Sequence, residues 1–96
     1  MINVPPNDKF QIITEHAAEE FNIADSYLGN NYTQDIILIQ ITLNAGRTVE
    51  IKKNLYVDIA RRLGSAADVR PDDVMICLIE VTKENWSFGG GRATYA

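Results

Sequence analysis

Few residues of this 96-residue chain are suited to covalent or metal chemistry, and they are scattered. It has one histidine, His16, and one cysteine, Cys77. Neither has a second His, Cys or acid at ligand spacing, so no metal centre is expected and His16 reads as structural. A lone cysteine forms no intrachain disulfide or CxxC pair. Within an apolar run, Cys77 reads as a small hydrophobe. Gly89-Gly90-Gly91 lacks the strand–loop–helix context of a phosphate loop, which argues against a nucleotide site. On the residues alone, Asp8, Arg47, Trp86 and Phe88 have ordinary structural readings. Asp8 follows Pro5-Pro6-Asn7 and suits turn capping as well as chemistry. Arg47 is either a solvated residue before a helix or a fork able to clamp a carboxylate. Trp86 and Phe88 read first as packing anchors, given the area they bury.

The elements that position these residues can be read from periodicity. Residues 10–16 alternate and predict a short strand. Residues 17–34 are undecided: Ala17–Ala24 suits a helical turn, Gly29-Asn30-Asn31 suits a loop, and Phe21, Ile23, Tyr27 and Leu28 are expected to pack it down. Residues 36–43 and 74–81 are nearly continuous branched apolar runs, the pattern of strands buried on both faces. Between them lies a predicted helix over 48–63. Thr48 is its N-cap and Glu50 suits its first turn. Ile51, Leu55, Ile59 and Leu63 form its apolar stripe. Arg61 and Arg62 would end it, with Gly64 as C′ residue. Lys52, Lys53 and Asp58 are expected on its solvated side. Pro71-Asp72-Asp73 would start the second strand. Strand, helix and strand make a βαβ unit with parallel strands. Two doubly buried strands with one covering helix leave a face to be covered by other subunits or other chain.

Composition sets bounds. Hydrophobic residues are 46% and charged residues 23%, with net charge −4. The acidic balance argues against nucleic acid and against anionic membranes. No stretch is long and apolar enough to span a bilayer, and Met1–Pro6 lacks signal-peptide character. One small domain in the cytoplasm is expected.

Several strings carry a resemblance. They are Ile39-Gln40-Ile41-Thr42-Leu43-Asn44-Ala45-Gly46-Arg47, Lys52-Lys53-Asn54-Leu55-Tyr56, Val69-Arg70-Pro71-Asp72-Asp73-Val74 and Asn85-Trp86-Ser87-Phe88-Gly89. Together they resemble the second half of a long-type tautomerase-superfamily protomer, of the malonate semialdehyde decarboxylase-like kind. Val4–Gln11 resembles the segment leading into the end strand of the first half. The resemblance implies an α+β fold of two βαβ halves assembled as a trimer. Here the second half is complete and the first is incomplete: its opening strand and helix, roughly 30 residues, are expected to be absent from residues 1–96. That strand carries the family's catalytic N-terminal proline, a secondary amine kept neutral by desolvation and nearby cations. Pro5 and Pro6 are internal amides and cannot replace it. Position by position, Asp8 matches a polar helper near the proline, and Arg47 matches the arginine that binds the substrate carboxylate. Trp86 and Phe88 match aromatics walling the pocket. The decarboxylase pattern Arg-x-Arg reads Ala45-Gly46-Arg47 here, which favours simple keto–enol chemistry over decarboxylation. The implied activity is tautomerisation of a small 2-keto or enol carboxylic acid without metal or cofactor, in a homo-oligomer or with a partner chain supplying the proline strand. The alternative is a non-catalytic oligomeric module that keeps the scaffold and has lost the base.

Overall fold

The computed structural model describes residues 10–95. Its elements run β1 (Ser26–Tyr27), β2 (Asn30–Asn31), β3 (Ile37–Asn44), α1 (Val49–Ala67) and β4 (Val74–Val81). Single 3-10 turns lie at Ala18–Glu20, Pro71–Asp73 and Lys83–Asn85. The core of this α+β fold is the expected βαβ unit. β3 and β4 pair in parallel, from Ile37 opposite Val74 to Asn44 opposite Val81. Branched side chains favour this pairing because they pack well on a pleated surface.

Alternation along the strands decides which residues α1 covers. Ile37, Ile39 and Ile41 are half-buried and Leu43 is buried, while Leu38, Gln40 and Thr42 are exposed. Leu55 of α1 is only 4% exposed and lies at the centre of the packing. The strands are therefore covered on one face, not on both as their composition predicts. A single helix covers a single side of a sheet, so Leu38 stays 54% exposed and Ile79 38%. Cys77 is exposed too, rather than a buried hydrophobe.

The predicted strand over 10–16 is absent: residues 10–17 have no regular secondary structure. Ile12 and Ile13 are 94% and 87% exposed. Alternation alone does not make a strand; a ladder partner must accept its hydrogen bonds. Among the described residues β3 and β4 pair with each other, and β1 with β2. In the undecided segment 17–34, β1 and β2 form an antiparallel hairpin around Leu28-Gly29. Phe21 and Ile23 are half-buried as expected, but Tyr27 and Leu28 project into solvent.

The hairpin is fastened to the start of β4. Asn31 N–H donates to Asp72 Oδ2 at 3.0 Å. Asp73, 1% exposed, accepts from Thr33 N–H at 2.8 Å and Thr33 Oγ1 at 2.5 Å, and Arg70 Nη1 lies at 3.4 Å.

Helix α1 starts as expected, with Thr48 Oγ1 accepting from Ile51 N–H at 3.2 Å. Its end differs. It runs through Gly64 to Ala67, and Asp68 takes the left-handed conformation at φ 55°. Aspartate tolerates that conformation, so the glycine is not needed as a stop. Arg61 and Arg62 then lie inside the helix, where both pair with Asp58 rather than with the terminal carbonyls. Asp58 is half-buried, and these arginines, led by the Arg61 hydrogen bond, hold its carboxyl below the ordinary 3.8. A Cβ on Gly64 would meet Val69 O at 3.5 Å, an ordinary contact. Gly64→Ala is therefore expected to stabilise the chain by about 0.5–1 kcal/mol, read as a rise in thermal midpoint. A glycine at C′ would have given the opposite sign.

Candidate active site

The carboxyl ends of β3 and β4, with the loop from β3 into α1 and the tail after β4, bring the candidate residues together. Openings at the carboxyl ends of parallel strands are where α/β sheets place ligands. Gly46, at φ 128°, makes the turn out of β3 that aims Arg47 back across the strand end. A side chain at that φ would be strained. Half-buried Arg47 donates from Nη1 to the Asn44 carbonyl at 3.2 Å. Among the described residues this is its one hydrogen bond, so most of the five-donor fork remains open to a ligand.

Asn44 also accepts from Trp86. The indole Nε1–H donates to Asn44 Oδ1 at 2.7 Å. Trp86 stacks on Phe88, with centroids 4.9 Å apart and planes 13° apart. Phe88 in turn touches Phe10 and Tyr95, each at 5.8 Å. The glycine run permits this arrangement: Gly89, Gly90 and Gly91 all take positive φ and fold the tail back. The Phe88 N–H donates to Thr94 Oγ1 at 3.2 Å. Arg47 and the Trp86/Phe88 pair thus meet through one shared residue. Asp8 lies outside the described residues, although Phe10, two residues on, reaches the cluster.

Three contributors were not anticipated: Asn44, Lys52 and Glu80. Lys52, in the first turn of α1, does not point to solvent. It pairs with Glu80 across the end of the sheet. Glu80 carries the lone charge of the second apolar run, at the position opposite Leu43. A charge on the helix-facing side of a strand needs a cation above it, and that was the available signal. The Lys52 hydrogen bond, the Gly46 N–H and the more distant Arg47 charge hold the Glu80 carboxyl below its ordinary 4.5, against an opposing effect of burial. Glu80 is therefore anionic at neutral pH and engaged by Lys52, and among the described residues Arg47 makes no salt bridge of its own.

In this chain the site is an open shelf. One shallow cleft lies between α1 and β4, lined by Tyr56, Val57, Ala60, Val74 and Ile76. Another lies under the hairpin, near His16, Phe21, Tyr32 and Asp35. Neither includes Arg47 or Trp86. Among the described residues no group of three or more His, Cys, Asp or Glu is placed to hold a metal. No helix there is long and apolar enough to cross a membrane.

Comparison with known proteins decides the family. The sequence pattern of the family described as "Tautomerase enzyme" matches residues 8–89. The chain belongs to the tautomerase family. It is 46% identical over 92 residues to the probable tautomerase YusQ of Bacillus subtilis, a match covering 96% of this chain and 72% of that protein. It is 32% identical over 93 residues to the probable tautomerase YrdN of the same organism, covering 97% and 71%. Its fold superposes on malonate semialdehyde decarboxylase, a structure described for decarboxylase and hydratase activities, with TM-score 0.83 and 32% identity over 96% of this chain and 70% of that one. The tautomerase βαβ unit is complete here as β3–α1–β4. Upstream, the described residues contain only a 3-10 turn and a two-residue hairpin, which fits an incomplete first half.

Proposed function

We propose that this chain supplies the substrate-binding half of a tautomerase site that interconverts the keto and enol forms of a small 2-keto carboxylic acid. The observation carrying this reading is Arg47, an arginine with an open fork at the carboxyl end of a parallel sheet, held beside an aromatic wall. Arg47 binds the substrate carboxylate and steadies negative charge on the enol oxygen. Trp86 and Phe88 wall the substrate from water, and Asp8 serves as a polar helper. Ketonisation removes the enol hydroxyl proton and adds one proton to carbon, so a base that returns what it takes is sufficient. The family's proline amine has that property. Pro5, Pro6 and Pro71 are acylated within this sequence and have no basic nitrogen. On this reading the base is a proline amine supplied by another chain or by a segment preceding residues 1–96. The open Arg-x-Arg position, occupied by Ala45, makes keto–enol transfer the better reading than decarboxylation.

The exposed sheet face supports an oligomer. Leu38 and Ile79 are exposed on that face, and Ile12 and Ile13 upstream are exposed as well; contiguous exposed apolar surface marks an interaction site. Light scattering is expected to give a mass of several chains, a homotrimer or a mixed assembly in the cytoplasm. A monodisperse monomer would contradict this.

The activity is tested on protein tagged at its C-terminus and isolated from its own cells with whatever chain accompanies it. The expected result is ketonisation of phenylenolpyruvate faster than in buffer, dependent on Arg47. An assembly that binds the acid without turning it over would instead indicate a scaffold that has lost its base.

A further inference from the structure

We infer that Asn44 is the positioning residue of this site. Its main-chain carbonyl holds the Arg47 guanidinium and its side-chain carbonyl holds the Trp86 indole. The cation and the aromatic wall therefore face a bound carboxylate in fixed relation. This rests on the reading of Arg47 as the carboxylate-binding residue.

The two bonds come from opposite ends of one half-buried residue. Arg47 Nη1 lies 3.2 Å from the Asn44 carbonyl, and Trp86 Nε1 lies 2.7 Å from Oδ1. An indole N–H only donates, so the amide must present its oxygen to Trp86, which fixes the side-chain orientation. The backbone end is equally constrained. Asn44 closes the β3–β4 ladder opposite Val81, and the following Ala45 N–H donates to Val81 O at 2.8 Å. Asn44 therefore cannot shift without moving the last rung of the sheet. Trp86 is separated from Asn44 by 42 residues in sequence, and this hydrogen bond ties the tail to the strand end. Stacking carries the constraint onward from Trp86 to Phe88. Asparagine also has an advantage over aspartate here. Aspartate would accept from the indole equally well but would place a negative charge beside Arg47, where the substrate carboxylate must sit.

Trp86 is the single tryptophan of the chain, so its indole N–H gives one assignable proton resonance. Asn44→Leu removes the acceptor at similar size, and Asn44→Asp keeps it. The indole resonance is expected downfield and slow to exchange in the wild type and in Asn44→Asp, and upfield in Asn44→Leu. Binding of phenylpyruvate is then titrated. Asn44→Leu is expected to weaken binding about tenfold, the loss of roughly one hydrogen bond's worth of ordering. Combining it with Trp86→Phe is expected to add little, because the two act through one contact. Asn44→Asp is expected to weaken binding despite its preserved indole signal. An unmoved indole resonance in Asn44→Leu would overturn the proposal. So would unchanged phenylpyruvate affinity in that variant, or additive losses in the double variant. Failure of the underlying reading looks different: Arg47→Ala would then bind phenylpyruvate as the wild type does.

Discussion

Arg47→Ala is expected to lower kcat/KM for enol-acid ketonisation by about 10²- to 10³-fold, the usual cost of removing a group that stabilises developing oxyanion charge. Stability should change little. The Arg47 side chain makes one hydrogen bond among the described residues, to the Asn44 carbonyl. Water replaces that donor readily at a strand end. Nor does the change strand an acid, because Glu80 keeps Lys52 as its principal partner. Arg47→Lys is expected to fall between, with a loss of about tenfold, because an ammonium keeps the charge but not the two-pronged geometry. Initial rates give the activity and thermal melts give the stability. A comparable fall in both for Arg47→Ala would mean that Arg47 is structural.

The largest stability effect is expected at Asp73. It is the most deeply buried polar residue described, at 1% exposure, and it joins two parts of the chain 40 residues apart. Asp73→Ala leaves the Thr33 N–H and hydroxyl without their acceptor. It also frees Arg70, which reaches both Asp73 and the Asn31 carbonyl. The turn that presents Ile36 to the core and starts β3 then loses its anchor. A fall in Tm of about 10 °C is expected, as for several lost hydrogen bonds in a domain of this size. Acid should act in the same direction. The Thr33 hydrogen bonds, foremost, and the Arg70 charge hold the Asp73 carboxyl below the ordinary 3.8. A depressed folded-state pKa gives stability that is complete above the unfolded value and is lost as pH falls through the folded one. Wild-type protein should therefore lose stability below about pH 4, and the gap between it and Asp73→Asn should narrow there. Thermal melts across that range measure both. A constant gap would show that the charge of Asp73 does not contribute.

The βαβ unit was legible because its signals are local. Two branched apolar runs, a Thr48 cap and a four-residue repeat specify strand, helix and strand without knowledge of the rest of the chain. The parallel pairing and the Pro71 turn agree with that reading. Segment 10–16 shows where local pattern is insufficient: its alternation is genuine, but a strand exists only beside a partner. The end of α1 departs from its local signal for a related reason. Gly64 has the composition of a stop signal, yet Ser65-Ala66-Ala67 continue the helix and Asp68 adopts the terminating conformation. The candidate residues Arg47, Trp86 and Phe88 are singled out by a resemblance between strings. The contacts joining them were not visible because Asn44 and Trp86 lie far apart in sequence. The contact of Lys52 is not legible in sequence, because helical periodicity does not show that a strand ends beneath it with an acid.

The central claim is that Arg47 at the end of β3 is a carboxylate site. Titration of the purified chain with phenylpyruvate, followed by the fluorescence of its single tryptophan, tests it without requiring the base. Saturable binding that weakens at least tenfold in Arg47→Ala, with no comparable response to phenylacetone, the uncharged analogue, is the predicted result. Equal responses from wild type and Arg47→Ala would contradict it.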